Sequence, residues 1–124
     1  MKLGIVGCGR VFQHYVHIVS GLNGILIHGV YDSSPTVRDQ YRARFNVHDS
    51  LHDLLASDID LACVLTPSGA HYDTASLCLS SHKHVLVEKP ISLKAHDAQA
   101  LVDLAANKNR KLYCGFQNRF NVAI

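Results

Sequence analysis

The sequence lacks a long apolar run. None of its hydrophobic segments approaches the roughly 20 residues of a membrane-spanning helix, so a membrane protein is not expected. It also lacks a basic cluster. Its 12 Lys and Arg residues stand against 10 Asp and Glu, for a net charge of +2. They are scattered apart from Lys108, Arg110 and Lys111, which leaves no electrostatic footprint for a nucleic acid. The four cysteines, Cys8, Cys63, Cys78 and Cys114, show no C-x-x-C spacing. Reduced, buried thiols in a cytoplasmic protein are the expectation. The N-terminus opens directly on an apolar strand, without the pattern of a signal peptide. Nine histidines are present, and His14 with His17, and His48 with His52, are spaced to share a helix face. Neither pair finds a third ligand at convincing spacing, so no metal is expected.

What is there is enough apolar material for a core. The chain has 124 residues, 48% hydrophobic and 18% charged, which suits one globular domain. Two periods alternate along it. "KLGIVG" reads as a strand, residues 10–20 as a helix, and Gly21 and Gly24 as its stop. "ILIHGVYD" is a second strand ending at Asp32. Ser33, Ser34 and Pro35 open a helix predicted to reach Arg44. "FNV" reads as a very short strand, and Leu51, Leu54 and Leu55 mark one face of a short helix. "DLACVLT" is a strand, Ser68 to Ser81 a helix, "HVLVE" a strand, Ser92 to Asn107 a helix and "KLYCGF" a last strand. The strands are apolar on both faces, as buried parallel strands are. The pattern predicts an α/β fold, a doubly wound Rossmann parallel sheet with helices on both faces.

The loop "GIVGCGRVF" lies between the first strand and the first helix. Gly7 permits a tight turn there, and Gly9 lets the backbone approach a pyrophosphate at the positive end of the helix. Asp32 ends the second strand about 20 residues later, where a carboxylate accepts hydrogen bonds from ribose hydroxyls. A dinucleotide site is predicted. The departure is Phe12 at the third glycine position, where a small residue normally lets the helix approach the strand. Phe12 must turn aside, or the loop must widen. Asp32 repels a 2′-phosphate, Ser33 and Ser34 offer it no cation, and Arg38 is the one nearby candidate. NAD is therefore expected over NADP. Cys8, within the loop and before a helix, sits where a thiolate can be stabilised, which leaves a reactive role open.

In a doubly wound sheet ligands bind beyond the carboxyl ends of the strands. "VLTPSGAH" and "HVLVEKP" place polar residues at two such ends. Alternation along a strand sends Glu88 and Lys89 to opposite sides, so they are not expected to pair. Pro90 removes a donor and turns the chain out of the sheet. Lys89 is left on rigid backbone at the mouth of the crevice, able to donate to a substrate hydroxyl or carbonyl and to take part in proton transfer. A solvated lysine at a strand end is the competing reading.

"VGCGRV", "YDSS", "TPSGAHYDTA", "HVLVEKPIS" and "GFQNRF" follow one another in the order and spacing of the glucose-fructose oxidoreductase / inositol dehydrogenase / MocA (Gfo/Idh/MocA) family. The chain resembles that family over essentially its whole length. The resemblance implies an NAD(P)-dependent sugar or polyol oxidoreductase, a Rossmann domain followed by an open-sheet α/β domain. It implies a catalytic, substrate-binding role for Lys89 and a nicotinamide-side contact for Glu88. Thr66, Pro67, Ser68 and His71 match the loop along the cofactor, which the resemblance also places against Gly7, Gly9, Arg10, Val11, Asp32 and Pro90. The Lys89–Pro90 bond is implied to be cis. "QNRFN" is similar to branches that oxidise nucleotide-linked amino sugars, and Arg119 within it is a tentative substrate contact.

Residues 1–118 are expected to form the dinucleotide-binding domain and 119–124 the start of a connection. The chain stops at Ile124, where the second domain of the family would begin. The downstream Asp and His of the usual catalytic set are missing with it. Residues 1–124 are therefore expected to bind dinucleotide without completing a turnover, and to associate with themselves through surface the second domain would cover. The alternative is a nucleotide-sensing Rossmann module without chemistry. Such a module would need Gly7, Gly9 and Asp32 but would have no use for Lys89.

Overall fold

The structure, a computed structural model, describes residues 1–115. Three elements build its first half-sheet: β1 (Lys2–Val6), α1 (Phe12–Ser20) and β2 (Leu26–Tyr31). Then come α2 (Pro35–Tyr41), α3 (Leu51–Ala56) and β3 (Leu61–Val64). A 3₁₀ turn (Ser68–Ala70) leads into α4 (His71–Ser80), followed by β4 (His84–Glu88), α5 (Ala95–Asn107) and β5 (Leu112–Gly115). All strand pairs are parallel, in the order β2-β1-β3-β4-β5.

The "FNV" segment makes a single parallel bridge, Val47 to Val30, on the outer side of β2. Val30 N–H donates to the Asn46 carbonyl and His48 N–H to the Val30 carbonyl, each at 2.9 Å. Ser50 already caps α3 by accepting from Asp53 N–H, so the segment is too short to pair further. With Val47 counted, the chain steps outward from β1 through β2 to Val47, then crosses back to β3 on the other side. That reversal between β1 and β3 is the switch point of a Rossmann sheet, where a crevice must open.

Strand alternation divides the core into two layers. Val6, Ala62, Val64, Val85 and Val87 pack with α3, α4 and α5 through Leu54, Leu79 and Leu101. Leu3, Ile5, Leu61, Cys63 and Leu65 face the other side, toward Phe12 and Val19 of α1 and Tyr41 of α2. Both faces are buried, which is why the strands read as unbroken apolar runs rather than alternating ones.

Helix ends follow local chemistry. Ser34 caps α2 by accepting from Val37 N–H at 3.3 Å, with Pro35 in the first turn, as such residues do. α2 ends at Tyr41 rather than at Arg44, where the chain turns toward the Val47 bridge. The stretch from Ser68 begins as a 3₁₀ turn. α5 starts at Ala95 rather than Ser92, because the Ser92 hydroxyl bonds the backbone of Lys94, donating to its carbonyl at 2.5 Å and accepting from its N–H at 3.3 Å. A serine bonded locally in this way competes with helix.

Candidate functional site

Beyond the ends of β1, β3 and β4 lies an open cleft of about 690 Å³. Gly7, Gly9, Arg10 and Val11 form one wall, Leu65, Thr66, Pro67, Ser68 and His71 another, and Glu88 and Lys89 the third. The structure thus brings together most of the predicted residues, from three separate stretches of chain, while Asp32 and Pro90 are not among those lining the cleft. Leu65 is an addition that its place in a buried strand end concealed.

The two glycines serve different ends. Gly7 has φ +100° and lies so close to β3 that a Cβ would meet the Leu65 carbonyl carbon at 2.8 Å. Only glycine fits both the backbone and the space. A Cβ at Gly9 would meet nothing within 4 Å. Nothing in the protein's own packing requires glycine there, and the open space is what a close-approaching ligand needs. α1 begins just beyond, with no side chain capping its first turn. Phe12 N–H donates to the Gly9 carbonyl at 3.2 Å, and the remaining N–H groups of the first turn, with the helix dipole, make that end receptive to an anion. Thr66 adds a buried hydroxyl oxygen with no partner among the described residues.

Asp32 is half-buried and already engaged by backbone. Its Oδ2 accepts from Cys8 N–H and its Oδ1 from Ser34 N–H, both at 2.8 Å. The carboxylate therefore ties the glycine loop to the end of β2, and each oxygen keeps a lone pair for a further donor. Arg38 turns inward, with Nη1 donating to the carbonyls of Asp32 at 2.8 Å and Ser33 at 3.2 Å, and its guanidinium sits 5.9 Å from the Tyr31 ring centre. Cys8 is not a poised nucleophile. Burial, and after it the Asp32 carboxylate, push its thiol up to about 12, the opposite of a stabilised thiolate.

Phe12 resolves the missing third glycine by turning aside. It is fully buried in the layer beneath α1 and meets Tyr41 and Phe45 edge-on, with ring centres 4.9 and 5.3 Å away. Its bulk fills the gap between α1 and α2, so the strand–helix approach is not obstructed.

Glu88 and Lys89 both line the cleft and form no ion pair with each other among the described residues. Glu88 is 9% exposed, and its carboxylate accepts from the Tyr15 hydroxyl of α1. Desolvation first, then this carboxylate, raise Tyr15 well above the usual phenol range. Lys89 is exposed, and among the described residues it makes no ion pair. The peptide bond from Lys89 to Pro90 is cis. His71, 2% exposed, places Nδ1 2.6 Å from the Pro90 carbonyl and Nε2 2.8 Å from the Thr66 carbonyl. Tyr15 is a member of the site that sequence reading missed, since nothing near it in the chain points to a partner at the far strand. Among the described residues no three His, Cys, Asp or Glu side chains gather in a group able to hold a metal ion, and His14 and His17 lie exposed on α1. Arg119 and the rest of "QNRFN" fall outside the described residues.

Residues 1–116 match the Gfo/Idh/MocA oxidoreductase family, NAD-binding Rossmann fold. The chain is 27% identical over 123 residues to the inositol 2-dehydrogenase of Rhizobium meliloti, covering 98% of this chain and 37% of that protein. It is 26% identical over 126 residues to the UDP-N-acetylglucosamine 3-dehydrogenase of Acidithiobacillus ferrooxidans, covering 100% of this chain and 39% of the relative. The WlbA dehydrogenase of Bordetella pertussis, solved with NADH and UDP-GlcNAcA, superposes with a TM-score of 0.91 at 26% identity, over 98% of this chain and 36% of that one. The chain therefore spans well under half the length of these relatives.

Proposed function

This chain belongs to the Gfo/Idh/MocA oxidoreductase family, and on that premise we propose that the intact protein is an NAD-dependent dehydrogenase of a sugar, polyol or nucleotide-sugar hydroxyl. The observation that carries the proposal is the placement of Lys89, exposed at the cleft mouth between two tethered groups, the buried Glu88 carboxylate and the Pro90 carbonyl.

The residues present fit a dinucleotide. Gly9 leaves open space where a pyrophosphate must approach the backbone, and the uncapped start of α1 offers N–H donors to it. Asp32 has acceptor capacity left for ribose hydroxyls. Its charge, with Arg38 turned to backbone carbonyls, favours NAD over NADP. The unpartnered Thr66 hydroxyl and the Glu88 carboxylate line the cleft toward the nicotinamide end. When bound, the cofactor supplies a hydride acceptor at C4 of its nicotinamide. The protein's own task is the proton. Lys89 accepts a hydrogen bond from the substrate hydroxyl through its amine lone pair, takes up that proton as the carbinol carbon loses its hydride to the nicotinamide, and releases it to solvent. Substrate walls and any further catalytic groups belong to the part of the protein that residues 1–124 do not contain, so these residues alone bind dinucleotide without turning over a sugar. Resemblance to nucleotide-sugar dehydrogenases makes a UDP-linked N-acetylhexosamine the first substrate to try, with inositol second.

The test is NADH formation from NAD by the intact protein with these two substrates, before and after Lys89→Met. Turnover should fall by about 10² or more, the scale of lost general acid–base catalysis, while NADH affinity changes little. Near-unchanged turnover would make Lys89 a surface residue.

A further inference from the structure

Both ring nitrogens of His71 face acceptors. The Pro90 oxygen, 2.6 Å from Nδ1, and the Thr66 oxygen, 2.8 Å from Nε2, are backbone carbonyls and can only accept. A neutral imidazole has one N–H, so in either tautomer one of these contacts would set a bare nitrogen lone pair against a carbonyl lone pair. The residue is only 2% exposed. Both contacts are satisfied together only when the ring carries two protons, and a charge-assisted bond of this kind is about twice as strong as a neutral one.

We infer that His71 is a positively charged clamp that joins the loop after β3 to the loop after β4 and so positions Lys89. The clamp grips the carbonyl of Pro90, the residue directly after Lys89. Tyr15 grips the side chain of Glu88, the residue directly before it. Lys89 is thereby held from α1 on one side and from α4 on the other. The charged and titratable groups around the ring are Glu88, Lys89 and Arg10, which share its cleft, and Tyr72 and Asp73 in the first turn of its own helix. The inference takes the role of Lys89 from the proposed function, but the clamp itself does not depend on it.

Two readouts test it. Nitrogen NMR of the His71 ring in the unsubstituted protein at neutral pH should show two protonated nitrogens; one bare nitrogen would overturn the charge. In His71→Asn, the amides of Lys89 and Ile91 should exchange at least tenfold faster with solvent, and kcat should fall about tenfold or more with substrate KM within about twofold. Unchanged exchange at residues 89 and 91 would overturn the clamp. Absence of turnover in the unsubstituted enzyme would count against the proposed function instead, and neither the ring spectrum nor the exchange rates depend on it.

Discussion

The Tyr15 hydroxyl donates to the Glu88 carboxylate across 73 residues of sequence. The bond joins α1 to the end of β4 beneath the cleft, where Gly115 lies so close that a Cβ there would stand 3.1 Å from the Glu88 carboxylate. A carboxylate only 9% exposed needs a donor, and Tyr15 supplies it. Tyr15→Phe keeps the ring and removes only the hydroxyl. Leaving the buried acceptor unsatisfied should cost about 1–3 kcal/mol, measured by urea unfolding. Stability equal to that of the parent would mean that the carboxylate finds another partner.

Phe12 stands where the dinucleotide fingerprint normally has glycine. Restoring the fingerprint with Phe12→Gly should harm this protein. The ring is fully buried against Tyr41 and Phe45, and its removal leaves a cavity between α1 and α2. The expected loss is about 3–5 kcal/mol, the range for truncating a buried aromatic. A chemical denaturation series checks it, and a neutral or stabilising result would show that α1 can settle onto the sheet.

Alkaline pH should weaken the fold through its thiols. Burial pushes Cys63 and Cys78 up to about 12, and burial together with Asp32 does the same for Cys8, against an ordinary value of 9.0. The folded state thus favours the protonated thiol. Their contribution is intact below pH 9 and is lost as pH rises from 9 toward 12, because only the unfolded chain ionises freely there. Unfolding midpoints measured across that window should fall, and the fall should be shallower in Cys63→Ala, judged against that variant's own midpoint at pH 8. An identical slope would remove Cys63 from the account.

The parts of this fold that could be read in sequence were those set by neighbours along the chain. "HVLVE" showed itself as a strand because both of its faces are buried, and β4 covers those five residues. Ser34 with Pro35 announced α2, and Gly7, Gly9 and Asp32 announced the cleft, since each is recognisable from its residue type and its place at a strand or helix end. The destination of Phe12 was hidden, because Tyr41 and Phe45 come from a helix and a turn much later in the chain. Tyr15 and the two hydrogen-bond contacts of His71 were hidden for the same reason: a side chain meeting a distant carbonyl or carboxylate leaves no periodicity. "FNV" was legible as strand-like, but its length in the sheet is set by the start of α3.

The central claim is that the cleft beside Gly9 holds a dinucleotide, and a thermal melt with NADH in the presence and absence of Gly9→Val tests it most directly. A Cβ at Gly9 touches nothing in the protein, so the substitution should leave the melting temperature without cofactor within about 2 °C, as expected of a change outside the core. NADH binds only the native state and should raise the midpoint of the parent protein. NADPH should raise it less, because Asp32 meets the 2′-phosphate, and Gly9→Val should abolish the NADH shift. No shift of the parent at millimolar NADH, or an equal shift in Gly9→Val, would contradict the account.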